Sequence, residues 1–542
     1  MAKDNDPFRG KNPDPSDAER DAQKMQGSPD AHEALLLQEV NGLEFAGEHQ
    51  AVITKLAALP PHLLTPPLAF ALARAEVNAA DPGERASFLR ALELLERCRD
   101  AFGDTYAWNC CEVFALYFLE REGEAIPFLE HMRALRPDDE DAQRMLDDAR
   151  HELTCPIFMK TFRNRVQSFW YWFCAEFEEG CPSEGDAQAA ARRCARRLLE
   201  EVGARWSVHC TGPAGSEGRP VLEISPNHDS LALFPIFALL DAAPDEVRRK
   251  WDLRACRSPL SPAVVRALAE RAAGLRGLLG PEELRCAFVI DDHRPMLQFY
   301  SEALRGLKEE ESDRVFAVLE ELVDHLVGEA VAMRFLPRLA VRRRRPIEDG
   351  FSIFELPERL LLAQPRAAGW TARNDVEERY EYWSRPGARE SGLRSDIRSG
   401  WTRAPALVSD LNEDDPASSN SLHQLGAAAG FFYFELGADG KPEEAAARLE
   451  ALLVRFRRRL AEVSREVAVV GEAFSERRAY QDVILWDPND IFVRAEAFEK
   501  TLERSVAVFG FRSFHPQAGI LFFRTDGTDD NDASGKDEAG GA

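Results

Sequence analysis

Asn227, His228, Asp229 and Ser230 stand together in EISPNHDSLALFPIF, between a run that reads as a strand and an apolar run that reads as a helix. Histidine, acid and hydroxyl are the types used in nucleophilic catalysis, but a triad converges from separate elements, and sequence neighbours cannot supply that geometry. Asp229 or Ser230 is better explained as a helix cap, which leaves His228 without a role. A second group, Asp291, Asp292 and His293, follows the strand-like CAFVI. Acids at a strand end can chelate a metal or act as a general base. No further ligand group accompanies them, so the sequence assigns no metal and no cofactor, and a solvated loop before Arg294 and Pro295 is expected. An enzyme built on His228, Asp291 and His293 requires the three to meet in one pocket.

Three other groups yield to simpler readings. Gly212, Gly215 and Gly218 in TGPAGSEGRP match neither G-x-x-x-x-G-K-[ST] nor G-x-G-x-x-G, and a strand follows them, so they predict a hairpin loop. Asp487, Asn489 and Asp490 lack the glycine and terminal glutamate of a calcium loop; Asp487 suits a cap with Pro488 at the first helical position. The basic run Arg342 to Arg345 adjoins Pro346, Glu348 and Asp349 and reads as a solvated strand end or linker.

The chain of 542 residues is 45% hydrophobic and exceeds what one core serves, which predicts several folded blocks. A net charge of -25, from 93 acidic and 68 basic residues, opposes a phosphate backbone, so no nucleic-acid partner is expected. The stretches Val166 to Phe177 and Leu231 to Ala243 are too short and interrupted to span a bilayer, so no membrane partner is expected. Ten cysteines occur without a C-x-x-C pair, and no apolar signal segment opens the chain, which together predict a reducing, cytoplasmic setting.

A spacing of 34 relates Ala91, Leu95, Cys98 and Gly103 to Ala125, Leu129, Met132 and Pro137. Seventy-six residues separate a second pair of matched units, Leu43 to Pro61 and Leu119 to Pro137. A period of this length marks stacked helix pairs. On these residues the segment of about 30–153 resembles the tetratricopeptide repeat family: Ala91 and Ala125 match its small position, Leu95, Leu129 and Ile53 its next apolar position, and Pro61 and Pro137 its stop. The resemblance implies a helical repeat with a capping helix over Glu140 to Leu153. It also implies a groove lined in the third unit by Cys110, Phe114, Tyr117 and Phe118, taking an apolar protein or peptide partner or the chain's own next domain.

Two α+β sandwich blocks are expected beyond the repeats, 156–345 and 346–524, flanked by disordered tails at 1–29 and 525–542. The aromatic-rich FRNRVQSFWYWFCAEFEE predicts a buried helix, and strands are read at 205–211, 220–225, 251–256 and 286–291. In the last block Ala404 to Asp410 reads as a strand and GAAAGFFYFEL as a central one. The βαββαβ order that follows is that of a ferredoxin-like sandwich. EISPNHDSLALFPIFALLDAAP and HQLGAAAGFFYFELG resemble phrases of uncharacterised bacterial proteins joining such a region to a tetratricopeptide array. The expected function is therefore a bacterial interaction or scaffold protein, more a binder than an enzyme. An inhibitor of immunity type and the enzyme near His228 are the rivals.

Overall fold

The computed structural model describes residues 31–178, 186–213, 218–271, 284–291, 294–306, 309–342, 350–384, 393–437 and 442–525. The chain forms two compact units. The first comprises Met1–Phe162, Leu407–Phe456 and Arg477–Ala542; the second comprises Arg163–Ala406 and Arg457–Glu476. The block boundaries near 156 and 345 do not coincide with this division: the repeat segment shares a unit with the C-terminal strands. The stretches read as tails lie outside the described residues, Thr525 apart.

Unit 1 opens with helices α1 (Ala31–Phe45), α2 (His49–Ala57), α3 (Pro66–Ala79), α4 (Arg85–Phe102), α5 (Tyr106–Phe118), α6 (Glu122–Leu135) and α7 (Glu140–Thr154). Local chemistry sets the breaks. Gly47 takes a positive φ of 73° between α1 and α2, a conformation open to a residue without Cβ. The Thr105 hydroxyl accepts from Trp108 N at the start of α5, and the Asp139 carboxylate accepts from Asp141 N and Ala142 N at the start of α7. The residues related by 34 are interior on both helices: Ala91, Leu95 and Cys98 on α4, Ala125, Leu129 and Met132 on α6. Successive helices share continuous cores, as expected when one hairpin cannot bury its apolar face alone.

Unit 2 begins with α8 (Phe162–Glu176) and α9 (Ala187–Arg197). Phe169, Trp170 and Phe173 of α8 are buried beside Trp251, and the Trp170 indole donates to Leu239 O at 2.9 Å. A three-stranded sheet holds β1 (Ser207–Pro213), β2 (Pro220–Ser225) and β3 (Asp252–Ala255), with α10 (Leu233–Asp241) and α11 (Asp245–Lys250) between the last two. β1 pairs antiparallel with β2, as a hairpin across the glycine-rich loop requires. After α12 (Pro262–Arg271), strands β4 (Arg285–Asp291) and β5 (Arg294–Tyr300) pair antiparallel. The sequence reading stopped at β4 and missed β5.

The chain continues through α13 (Glu309–Val327), α14 (Glu329–Phe335), β6 (Leu339–Val341), β7 (Phe351–Ser352), α15 (Leu356–Ala363) and α16 (Ala372–Glu378). Strands β6-β5-β4-β7 form a sheet over a core that includes Leu297, Phe299, Leu319 and Val323. Strands β8 (Glu381–Ser384) and β9 (Ser399–Thr402) pair antiparallel and close this part of the unit.

The C-terminal elements are α17 (Pro405–Glu413), α18 (Ala417–His423), β10 (Ala428–Leu436), α19 (Pro442–Ala461), β11 (Val467–Phe474), β12 (Arg478–Leu485), α20 (Pro488–Glu499), β13 (Val506–Ser513) and β14 (Ile520–Arg524). The strand expected at 404–410 is a correction: the segment is helix α17. Pro405 lacks the N–H a ladder needs but suits a first helical turn, and Leu407 is buried from it. Unit 1 carries its strands in the order β14-β13-β10-β12, antiparallel throughout; unit 2 carries β11-β9-β8. β10 is the central strand expected, paired on both sides, with Phe431, Phe432 and Phe434 fully buried. No described helix is long and apolar enough to cross a membrane.

Candidate functional site

In unit 2 the residue that the sequence left without a role becomes the centre of a polar cluster. Past the end of β2, Asn227 and His228 take left-handed backbone, with φ of 54° and 65°. Such a conformation costs a residue other than glycine about 1–3 kcal/mol, and persists where surroundings over-determine it. Those surroundings are visible. Glu329, fully buried at the start of α14, accepts from Ser225 Oγ at 2.8 Å and His228 N at 3.3 Å through Oε1, and from Arg257 N at 3.0 Å through Oε2. One carboxylate thus ties the turn after β2 to the segment after β3, where Cys256 also has a positive φ of 70°.

The His228 ring is aimed at α13, with Nε2 3.0 Å from each oxygen of Asp324. The carboxylate is 1% exposed and the imidazole 33%, so one partner is sealed while the other reaches the surface. The hydrogen bond to Asp324 raises the His228 pKa. Burial raises that of Asp324, against the opposing pull of His228. Arg257 Nη1 stands 3.8 Å from Asp324 Oδ2. Around this centre lie His209 on β1, lowered by burial and by the charge of Arg257, and the His325–Glu321 pair on α13, with Nε2 3.6 Å from a carboxylate oxygen. A buried acid that orients an outward imidazole can hold or move a proton; an imidazole with two carboxylates can hold a cation.

The other predicted residues fall elsewhere. Asp229 caps a turn, accepting from Leu231 N at 2.8 Å, and α10 begins only at Leu233. Asp291 ends β4 opposite Arg294; its side chain, like His293, lies outside the described residues. The acids facing His228 are Asp324 and Glu329, about 100 residues away in sequence. Local spacing carries no trace of them. The available signal was acids inside apolar runs, Asp324 in LVDHLV and Glu329 in VGEAVAM.

On the repeat segment, Cys110, Phe114, Tyr117 and Phe118 of α5 are all half-buried. Phe118 stacks on Phe88 at 4.9 Å, and Tyr117 meets Phe118 edge-on at 6.0 Å. Burial pushes the Cys110 thiol up to about 12, so it behaves as an apolar contact. Of the four, Cys110 and Tyr117 pack against the core shared by α5, α6 and α7.

That same core receives a residue from the far end of the chain. Ala518, in the loop between β13 and β14, is buried with Leu116, Leu129 and Leu146, and Gly519 N donates to Thr154 Oγ1 at 2.7 Å. Beside it, His423 Nε2 lies 2.9 Å from Glu122 Oε2, both nearly sealed from water, and the Phe158 ring packs on the imidazole at 4.7 Å. His515, 2% exposed, is pushed down to about 4 by burial and by the nearby His423. Gly123 fits because a Cβ there would collide with the Asn420 side chain. Sequence reasoning missed this contact set, whose members are some 300 to 400 positions apart.

With this geometry in hand, comparison with known proteins gives no match: no family model, no curated protein and no solved structure is significantly similar to the chain.

Proposed function

We propose that this chain is a bacterial, cytoplasmic protein-interaction scaffold, in which a tetratricopeptide-like array is braced by its own α+β region and offers its remaining apolar surface to a protein partner. The observation that carries this reading is Ala518: the array holds a short segment of its own chain as it would hold a peptide ligand, with one apolar side chain in the core and one backbone hydrogen bond. An apolar residue from the C-terminal part of the chain thus packs on the third unit.

Other features agree. Phe45 and Leu35 of α1, at the opposite end of the array, are 86% and 67% exposed, while Phe114 and Tyr117 are half-covered. The order β13-β10-β12 in unit 1, with α20 between β12 and β13, suits part of a ferredoxin-like sandwich, a fold that hosts binding modules and enzymes alike. The described cysteines are free thiols, which suits a reducing compartment.

The test uses the full chain carrying a photo-crosslinking residue in place of Phe45 or, separately, of Phe114. A discrete crosslinked partner in cells of the native host supports the scaffold reading, and the position that captures it locates the contact. Absence of any crosslink to another protein at both positions overturns the external-partner half and leaves the array as an internal brace.

A further inference from the structure

We propose that His228, Asp324 and Glu329 bind one divalent transition cation of the Mn²⁺, Fe²⁺ or Zn²⁺ class. Nitrogen and oxygen atoms of the three side chains lie within 4.8 Å of one another. The 3.0 Å between His228 Nε2 and the Asp324 oxygens matches the separation of adjacent ligands that each stand about 2.1 Å from a shared octahedral ion.

Solvation and charge point the same way. Asp324 and Glu329 are 1% and 0% exposed, and a buried carboxylate needs pairing, hydrogen bonds or a metal. Glu329 is well supplied, by Ser225 Oγ, His228 N and Arg257 N. Asp324 is not. An ionised carboxylate offers about four acceptor positions. Among the described residues His228 is the one side chain within hydrogen-bond reach of it. Arg257 stops at 3.8 Å, and its buried Nε has no hydrogen-bond partner among the described residues.

The shell around the trio resembles that of a metal site. The donors on Glu329 fix its carboxylate, and the strained turn at Asn227 and His228 fixes the imidazole, as the surroundings of metal ligands do. The partly exposed side of His228 gives an ion a way in and leaves room for water ligands. One imidazole with two carboxylates and no thiolate favours a borderline or hard divalent ion over a soft one.

The competing arrangement is a closed ion network in which His228 and Arg257 alone balance the two acids. Mn²⁺ separates the two because it has little affinity for the protein's thiols, which would compete for Zn²⁺. Full-length protein stripped with a chelator is titrated with MnCl₂, and bound ion is read from the loss of the free Mn²⁺ electron paramagnetic resonance signal. One saturable site per chain is expected, weakened on the order of 100-fold in His228→Ala and Asp324→Asn and retained in the surface variant His62→Ala. Mn²⁺ should also raise the unfolding temperature of the wild type and leave that of Asp324→Asn unchanged. A wild type with no saturable site overturns the proposal whatever the variants do. So does equal binding by a folded His228→Ala, a change at an exposed residue that the fold should accept.

Discussion

One histidine–carboxylate pair in each unit joins segments far apart in sequence, and the two differ in one respect that separates a brace from a site. In unit 1, His423 and Glu122 are both sealed, with a ring and a second histidine packed beside them. In unit 2, Asp324 is sealed but the His228 ring reaches solvent. Each pair brings distant segments together. The first spends both polar groups on each other and presents nothing outward. The second uses a buried acid and a strained turn to hold an imidazole at the surface. Burial of a histidine–carboxylate pair is thus no sign of function by itself; what distinguishes a site is the polar atom still able to meet something else.

The contrast can be broken most sharply at the sealed pair. Glu122→Ala leaves a buried imidazole without its partner and is expected to cost about 3 kcal/mol by urea unfolding. Asp324→Asn keeps the shape of its site and should cost about 1 kcal/mol. Equal costs erase the distinction. A comparable effect comes from pH. His515, about 4 in the folded state, lies below the ordinary value of 6.5, so its contribution is full above 6.5 and fades as pH falls toward 4. The loss is on the order of 3 kcal/mol and should be flattened in His515→Leu.

His228 runs the other way. Its folded value is raised, so its contribution is present below 6.5 and fades as pH climbs through the folded value. Urea midpoints at half-unit steps for the wild type, His515→Leu and His228→Asn should therefore show losses of opposite slope. Matching slopes would place both histidines in one kind of environment. Next in size, Gly123→Ala pushes a methyl into Asn420 and should lose about 2 kcal/mol, lowering the unfolding temperature. The smallest change is expected from Phe45→Ser on exposed α1, within about 0.5 kcal/mol of the wild type. A larger loss there would mean that the outer end of the array is packed after all.

The helical segment was legible because its information is local. A period of 34 puts Ala91 and Ala125, Leu95 and Leu129 on equivalent faces, and the structure buries all four. The aromatic run of β10 announced a central strand for the same reason, four large rings in sequence being too costly to leave on an edge. Where local cues competed, the reading failed. Ala404 to Asp410 has strand-like composition, but Pro405 decides for a helix. At the candidate site, His228 was visible and its partners were not, since Asp324 and Glu329 reach its turn through tertiary folding from two helices about 100 residues on. The brace was hidden for the same cause, Glu122 and His423 being 301 residues apart.

The path of the chain sets an order of events during synthesis. The helices of the array leave the ribosome well before His515 and Ala518, which complete the contact on α5 to α7 and are made about 360 residues after Thr154. At about 5–20 residues per second that interval lasts roughly 18 to 72 s. Throughout it, the helices lack the one core contact that Ala518 supplies. A chain that stops between residues 162 and 515 never makes the Ala518 and Gly519 contacts on these helices.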